Sequence, residues 1–146
     1  MMLIGKSPAA NAPSAVIFIR LMVGGVFLSE GIQKFLFPDA LGVGRFIKIG
    51  IPRPEVMAPF VGTVEIVCGT LLLIGLLTRM AAVPLIGVII VAIWTTKIPL
   101  FLHDGFWKMA HEARTDYAML LGSLFMLVVG VGNWSLDARI GRTVRT

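Results

Sequence analysis

Long stretches of apolar residues, interrupted by proline, glycine and charged side chains, dominate the pattern along this chain. Four stretches approach the roughly 20 apolar residues that a membrane-spanning helix needs: residues 14–37, 59–77, 81–98 and 116–131. None shows the apolar–polar alternation over about ten residues that a transmembrane barrel strand requires. The pattern predicts an all-α integral membrane protein, a four-helix bundle in up-and-down order that forms one domain over residues 1–146.

The connections between the stretches follow from proline and polar residues. Pro52 and Pro54 disfavour helix in the residues before them. The segment 38–58 is therefore predicted to be a long connection, with a short interfacial helix around residues 45–48. Only residues 78–80 separate the second and third stretches, which predicts an antiparallel hairpin. Residues 97–115 are predicted to be a second long loop, with aromatic side chains that suit the membrane–water interface.

The composition narrows the class of protein. Hydrophobic residues make up 57% of the chain and charged residues 14%, whereas soluble domains carry about 25% charge. This excludes a disordered chain, a secreted disulfide scaffold and most soluble enzymes. Cys68 is the single cysteine, so neither an internal disulfide nor a dithiol redox pair can form. The net charge of +5 is spread along an apolar chain, which favours the lipid bilayer over nucleic acid as the partner.

The ionisable residues within the apolar stretches are the candidates for chemistry. A charge at the centre of a spanning helix costs about 2.5–3.5 kcal/mol on insertion scales, so such residues usually face a bundle interior and pair. At helical spacing they share faces with glycine, and close helix contact at glycine lets polar groups meet across the contact. The three predicted inward faces are Arg20, Gly24, Phe27, Gly31 and Lys34; Gly62, Glu65 and Gly69; and Asp116, Ser123 and Gly130.

Two interpretations of these charges stay open. In the structural one, Arg20 and Glu65 form a buried pair that fixes helix packing, and Glu30 pairs with Lys34 one turn later, the favourable order for an ion pair. In the functional one, Glu65 is a carboxylate flanked by cations that handles a proton or anchors a polar ligand group.

The second long loop carries His103, His111 and several carboxylates. Their spacing matches no metal-ligand motif, so no metal site is predicted. The alternatives are a solvated charged loop and a lid that takes up protons through histidine. The chain has no nucleotide-binding, haem-attachment or paired-cysteine motif, so redox chemistry needs a partner or a diffusible cofactor. The membrane-soluble candidate is a quinone.

Four passages of the chain together resemble the DoxX family. The first has an early Arg20, then Phe27, then Gly31 and Lys34 in the order Gly-x-x-Lys; the passages are residues 20–35, 65–79, 81–86 and 111–137. The resemblance implies a small four-span protein of a bacterial inner membrane. Some similar proteins are subunits of thiosulfate:quinone oxidoreductase, and others accompany redox partners or act as maturation factors and chaperones. The residues on the recurrent polar positions of the family are Arg20, Glu30, Lys34, Glu65 and Arg79.

The first functional hypothesis is therefore a membrane subunit of an oxidoreductase system that exchanges electrons with membrane quinone. Glu65 is the candidate catalytic residue. The candidate ligand-binding residues are Arg20, Glu30, Lys34, Glu65, Arg79, His111 and Asp116. One alternative is a non-enzymatic scaffold, assembly factor or chaperone for a partner protein, with its function on the second long loop. Another is a small-molecule permease, which needs a homodimer because four spans are few for alternating access. Whether the chain is an enzyme stays open.

The distribution of basic residues predicts the orientation. An even number of spans places both termini on one side of the membrane. The arginines near the last span are dense on that side, at positions 139, 142 and 145, and positive residues favour the cytoplasmic side. The expected location is a bacterial inner membrane with both termini in the cytoplasm.

Overall fold

The computed structural model describes residues 14–143, apart from the side chain of Arg142. Arg145, which the orientation argument used, lies outside these residues. Within them the secondary structure is helical with no strand, which confirms the all-α prediction. The helices are α1 (Val16–Leu36), α2 (Val43–Lys48), α3 (Pro54–Ile74), α4 (Thr78–Ala92), a π-helical turn (Ile93–Lys97), α5 (Ile98–Asp104), α6 (Phe106–Glu112), α7 (Arg114–Val129) and α8 (Leu136–Thr143).

Three helical segments of the described chain are long and apolar enough to cross a membrane. They are α1, α3 and the continuous rod Thr78–Asp104, which runs through α4, the π-helical turn and α5. The fourth predicted span corresponds to α7, whose 16 residues rise about 24 Å. That length is less than the roughly 30 Å of a bilayer's hydrocarbon core. The four-span count therefore stays a prediction.

The prolines and glycines explain where the second span begins and ends. α3 begins at Pro54 and not at residue 59, because proline in the first helical turn lacks only an N–H that would be unpaired there. The helix ends at Ile74, and the left-handed backbone of Gly75 and Leu77 turns the chain into α4. The hairpin turn thus occupies residues 75–77 instead of 78–80. The short helix predicted around residues 45–48 is confirmed as α2.

The predicted second long loop is wrong. Residues 98–112 form α5 and α6, which are separated at Gly105, whose φ is +84°. Pro99 stands in the first turn of α5, where it does not interrupt the hydrogen bonds of a helix. The charges and aromatic residues that suggested a loop are exposed on these two short helices.

Glycine permits the close packing of α1 on α3. A Cβ atom added at Gly24 would lie 2.9 Å from the carbonyl oxygen of Gly69, and one added at Gly31 would lie 2.7 Å from that of Gly62. Real side chains do not tolerate such approaches to backbone atoms. The predicted inward faces of the first two spans therefore do meet, glycine against glycine.

The remaining contacts join this pair of helices to a second pair. α4 packs on α7, α3 packs on α4 through the hairpin, and α1 also contacts α7. Helices that follow one another in this set run in opposite directions, so the end of α1 and the start of α7 lie at the same end of the molecule. The central side chains are apolar and buried: Val23, Phe27, Leu72, Leu85 and Met119.

Candidate functional site

A cavity of about 660 Å³ lies at the end of the molecule where α1 ends and α7 begins. The four packed helices α1, α3, α4 and α7 all contribute to its wall, and α2 covers one side through Phe46 and Arg45. Most of the wall is apolar, with at least one apolar side chain from every one of these elements. The cavity therefore offers a largely apolar volume bounded by a small number of polar groups, the usual character of a small-molecule site.

The most buried polar feature of this wall is an ion pair between α1 and α3. Lys34 Nζ lies 2.7 Å from Glu65 Oε2, and the two side chains are 11% and 5% exposed. Both residues line the cavity. The glycine contact brings these two side chains close to each other. Gly31 and Gly62 hold α1 and α3 together, and Lys34 and Glu65 each follow one of these glycines by three residues. The attraction between two charges is stronger in so dry a place than at the surface.

Glu30 does not pair with Lys34, contrary to the structural interpretation of the sequence. It is exposed at the mouth of the cavity, and Lys34 Nζ lies 3.5 Å from the carbonyl oxygen of Glu30. The Lys34 ammonium is instead directed at Glu65.

A second ion pair joins the other two helices on the same wall. Lys97 Nζ, at the end of the π-helical turn, lies 3.2 Å from Asp116 Oδ2 in the first turn of α7. The two side chains are 13% and 20% exposed. Three threonine residues complete the polar part of the wall: Thr95, Thr96 and Thr115.

Arg20 is buried at the opposite end of the molecule and does not contact Glu65, so the predicted Arg20–Glu65 pair is wrong. Its guanidinium donates to backbone carbonyl oxygens at the C-terminal end of α3 and in the segment that follows α7. The acceptors are Leu72 at 3.1 Å, Leu73 at 2.7 Å, Val131 at 3.4 Å, and Trp134. Arg20 thereby ties the C-terminal end of α3 to the segment that follows α7.

Two further candidates also lie away from the cavity. Arg79 Nη2 donates to the carbonyl oxygen of Val128 at 2.9 Å, near the end of α7. His111 is exposed on α6, where its carbonyl oxygen accepts a hydrogen bond from Arg114. The structure thus brings Glu30, Lys34, Glu65 and Asp116 together on one wall, and it separates Arg20, Arg79 and His111 from them.

Lys97 is the cavity residue that the sequence interpretation missed. It stands at the end of the third apolar stretch, directly after Thr95 and Thr96, where the predicted loop begins. The sequence does contain a signal for it. Residues 95–97 are polar, but the apolar stretch resumes after them at residues 98–102. Nowhere in residues 14–143 do three histidine, cysteine or acidic side chains come together to hold a metal ion.

Comparison with known proteins identifies a family and two similar proteins, one of them named as a membrane protein. The DoxX family model matches residues 15–98. The uncharacterized membrane protein Rv3486 of Mycobacterium tuberculosis is 58% identical over 139 residues, covering 91% of this chain and 85% of that protein. A Bacillus subtilis protein named "Putative oxidoreductase CatD" is 28% identical over 121 residues, covering 83% of each chain. No solved structure matches the chain.

Proposed function

This chain belongs to the DoxX family, and on that premise we propose that it is a membrane subunit of an oxidoreductase system whose cavity binds the head group of a membrane quinone. The observation that carries the proposal is the apolar cavity with the buried Lys34–Glu65 pair on its wall. The similarity to a protein named as an oxidoreductase supports the reaction class.

The cavity suits a quinone in size and in chemistry. Its volume of about 660 Å³ falls within the range of about 300–1,000 Å³ that is common for small-molecule sites. A quinone head group is a flat apolar ring with polar oxygens, and it needs apolar walls with a few hydrogen-bond donors. The wall provides apolar contact on Phe27, Val88 and Met119 and donors on Lys34 and Lys97.

Each polar residue of the wall has a separate role in this proposal. When bound, a quinone supplies a carrier of two electrons and two protons in the membrane. Lys34 Nζ donates a hydrogen bond into the site and stabilises negative charge there, which a dry environment strengthens. The carboxylate of Glu65, whose Oε2 faces Lys34, takes up and releases a proton, and Glu30, at the exposed mouth, exchanges protons with water. The electrons come from a partner protein.

The test is to identify what the detergent-purified protein carries and to measure quinone binding. We expect organic extraction followed by mass spectrometry to find a quinone in stoichiometric amount with the wild type. Glu65→Gln keeps the shape of the side chain but cannot take up a proton. It should fold with a lower melting temperature, because Lys34 loses its partner. In membranes that contain the partner protein, it should lose about a hundredfold or more in turnover, measured as reduction of a quinone analogue, a typical size for lost proton transfer. Glu112→Gln, on exposed α6, is the matched control and should behave as wild type.

Two results would contradict the proposal. One is that only phospholipid is extracted and that no quinone analogue binds to the wild type. The other is that Glu65→Gln and Glu112→Gln retain equal turnover per folded protein, because the buried carboxylate would then take no part in the chemistry.

The scaffold function is the second candidate, and the exposed apolar side chains of α5 and α6 favour it. Leu102 is 74% exposed and Trp107 is 84% exposed, next to the cavity end of the molecule. A photo-crosslinker at position 107 in membranes tests this function. The quinone proposal also requires a partner protein, so a crosslinked partner supports the scaffold only where the wild type binds no quinone. Crosslinks to lipid alone would oppose the scaffold.

A further inference from the structure

The cavity wall carries two ion pairs, and each comes from a different pair of packed helices. Lys34 and Glu65 belong to α1 and α3, which pack closely on each other. Lys97 and Asp116 belong to the end of the π-helical turn and to α7, on the side of the molecule where α4 packs on α7. The space between the two helix pairs is the cavity, and its intervening wall is apolar.

Stability alone does not explain why either ion pair is buried. Taking two charges out of water is costly, and apolar residues of similar volume are often as good or better in the same place. Ion pairs that serve only packing could lie anywhere along the four helices. In residues 14–143, the two pairs with largely buried side chains both lie on the cavity wall.

The backbone next to Lys97 departs from regular α-helix at the point where it meets the cavity. Residues 93–97 form the π-helical turn, a widened turn that is rare and is found frequently at functional sites. The hydroxyl groups of Thr95 and Thr96 donate to the carbonyl oxygens of Val91 at 2.8 Å and Ala92 at 2.6 Å. These bonds satisfy carbonyl groups inside the apolar rod, and the turn places both threonines and Lys97 on the wall.

From this arrangement we propose that the Lys97–Asp116 pair is a second polar subsite, so that the cavity selects ligands with a polar oxygen at each end of a flat apolar ring. One oxygen accepts a hydrogen bond from Lys34 Nζ and the other accepts one from Lys97 Nζ. The ligand class is the para-quinones and their quinols, rather than amphiphiles with a single polar end. This inference rests on the proposed function and adds the residues that set its specificity.

The test compares a ring with two carbonyl groups and a ring with one. The probes are 2-methyl-1,4-naphthoquinone and 2-methyl-1-tetralone, and the measurement is the Kd for each by calorimetry with the detergent-purified full chain. A hydrogen bond from a charged donor corresponds to roughly tenfold or more in affinity. We therefore expect the wild type to prefer the dione by roughly tenfold, and Lys97→Met to lose that preference by weakening the dione while leaving the monoketone unchanged.

The matched control is Lys108→Met. Lys108 also pairs with a carboxylate, that of Asp104 at 2.9 Å, but the pair is exposed and lies off the cavity. This variant should bind both probes as the wild type does. If a single change at Lys97 unfolds the protein, Lys97→Met combined with Asp116→Asn removes both charges together and leaves no side-chain donor at position 97. The double variant leaves no buried charge unpaired, and it should lose the preference for the dione in the same way.

The outcomes separate this inference from the proposed function. If the wild type binds the dione but binds the monoketone equally well, or if Lys97→Met weakens both probes equally or neither, the second subsite is wrong and the quinone site stands. If the wild type does not bind the dione at all, the proposed function fails and this inference fails with it.

Discussion

Lys34 has a carboxylate on its own helix and another on the facing helix, and burial decides between them. Glu30 is exposed, so water already stabilises its charge. Glu65 is 4% exposed, and a buried carboxylate without a partner is far more costly than a solvated one. Lys34 therefore stabilises the fold more by pairing with Glu65 than it would by pairing with Glu30. The spacing of residues along α1 identifies Glu30 only, because it gives no information on which residues of α3 lie opposite Lys34.

Removal of the lysine should reveal this difference. We expect Lys34→Met to destabilise the protein by about 3 kcal/mol, the cost of breaking a buried pair. Glu30→Gln should cost less than about 1 kcal/mol, because Glu30 is exposed and even an exposed ion pair contributes no more than that. Denaturation of the detergent-solubilised protein, monitored by circular dichroism, measures both. Adding Glu65→Gln to Lys34→Met should recover part of the loss, and no recovery would mean that the pair does not couple the two helices.

Arg20 should matter for stability and not for the ligand. Its guanidinium donates to four backbone carbonyl oxygens, and each buried carbonyl left unpaired costs about 1–3 kcal/mol. We expect Arg20→Met to lower the free energy of unfolding by more than about 3 kcal/mol. Arg79→Met, which removes a bond to one carbonyl, should lower it by about 1 kcal/mol.

The readout for this pair of variants is again denaturation in detergent, with quinone binding measured on the folded fraction. Unchanged affinity in Arg20→Met is expected, since the side chain does not line the cavity. Weaker binding without a loss of stability would restore Arg20 as a ligand-binding residue.

At the level of helices, the contact between α1 and α3 depends on glycine at particular positions. A Cβ atom at Gly69 would lie 2.8 Å from the backbone nitrogen of Leu28, whereas nothing lies within 4 Å of one at Gly25. We expect Gly69→Ala to destabilise the protein by about 1–3 kcal/mol, as overpacking does. Gly25→Ala should be neutral or stabilising by up to about 1 kcal/mol, from helix propensity.

Thermal unfolding of both alanine variants tests this contact, and size-exclusion chromatography of the same samples reports their oligomeric state. If Gly25→Ala destabilises a dimer and leaves the monomer unaffected, the outer face of α1 is an interface between copies. If Gly69→Ala has no effect on unfolding, the helices adjust and the glycine contact does not determine their distance.

The helices show what the sequence can predict and what it cannot. Glycine and charge at helical spacing correctly predicted the facing surfaces of α1 and α3, because that pattern is local and both helices are long. The same reasoning assigned Lys97 to a loop, because the π-helical turn and the helix at Pro99 depend on how hydroxyl groups satisfy nearby carbonyls. The Lys97–Asp116 pair needs the fold, since it joins residues of separate helices.

Across the whole molecule, the two ends differ in their polar contacts. At the end with Arg20, side chains bind backbone: Arg79 binds a carbonyl of α7, and Asp137 accepts hydrogen bonds from the backbone N–H groups of Leu77 and Thr78. At the other end, side chains bind each other around a cavity. The contacts at the Arg20 end hold the helices together, and the cavity at the other end leaves room for a ligand. The orientation in the membrane decides which compartment faces that ligand.

The orientation can be measured with single cysteines after Cys68→Ala, because Cys68 is the one native cysteine. Glu112→Cys marks the cavity end and Gly141→Cys marks α8, both at exposed positions. With the termini in the cytoplasm, a membrane-impermeant maleimide should label Glu112→Cys in right-side-out vesicles and should label Gly141→Cys only after permeabilisation. The cavity then opens away from the cytoplasm, and the electron donor of the proposed system acts on that side. The reverse labelling would mean that the cavity opens towards the cytoplasm and that the electron donor acts there. Both ion pairs lie at the end of the helices that Glu112→Cys marks.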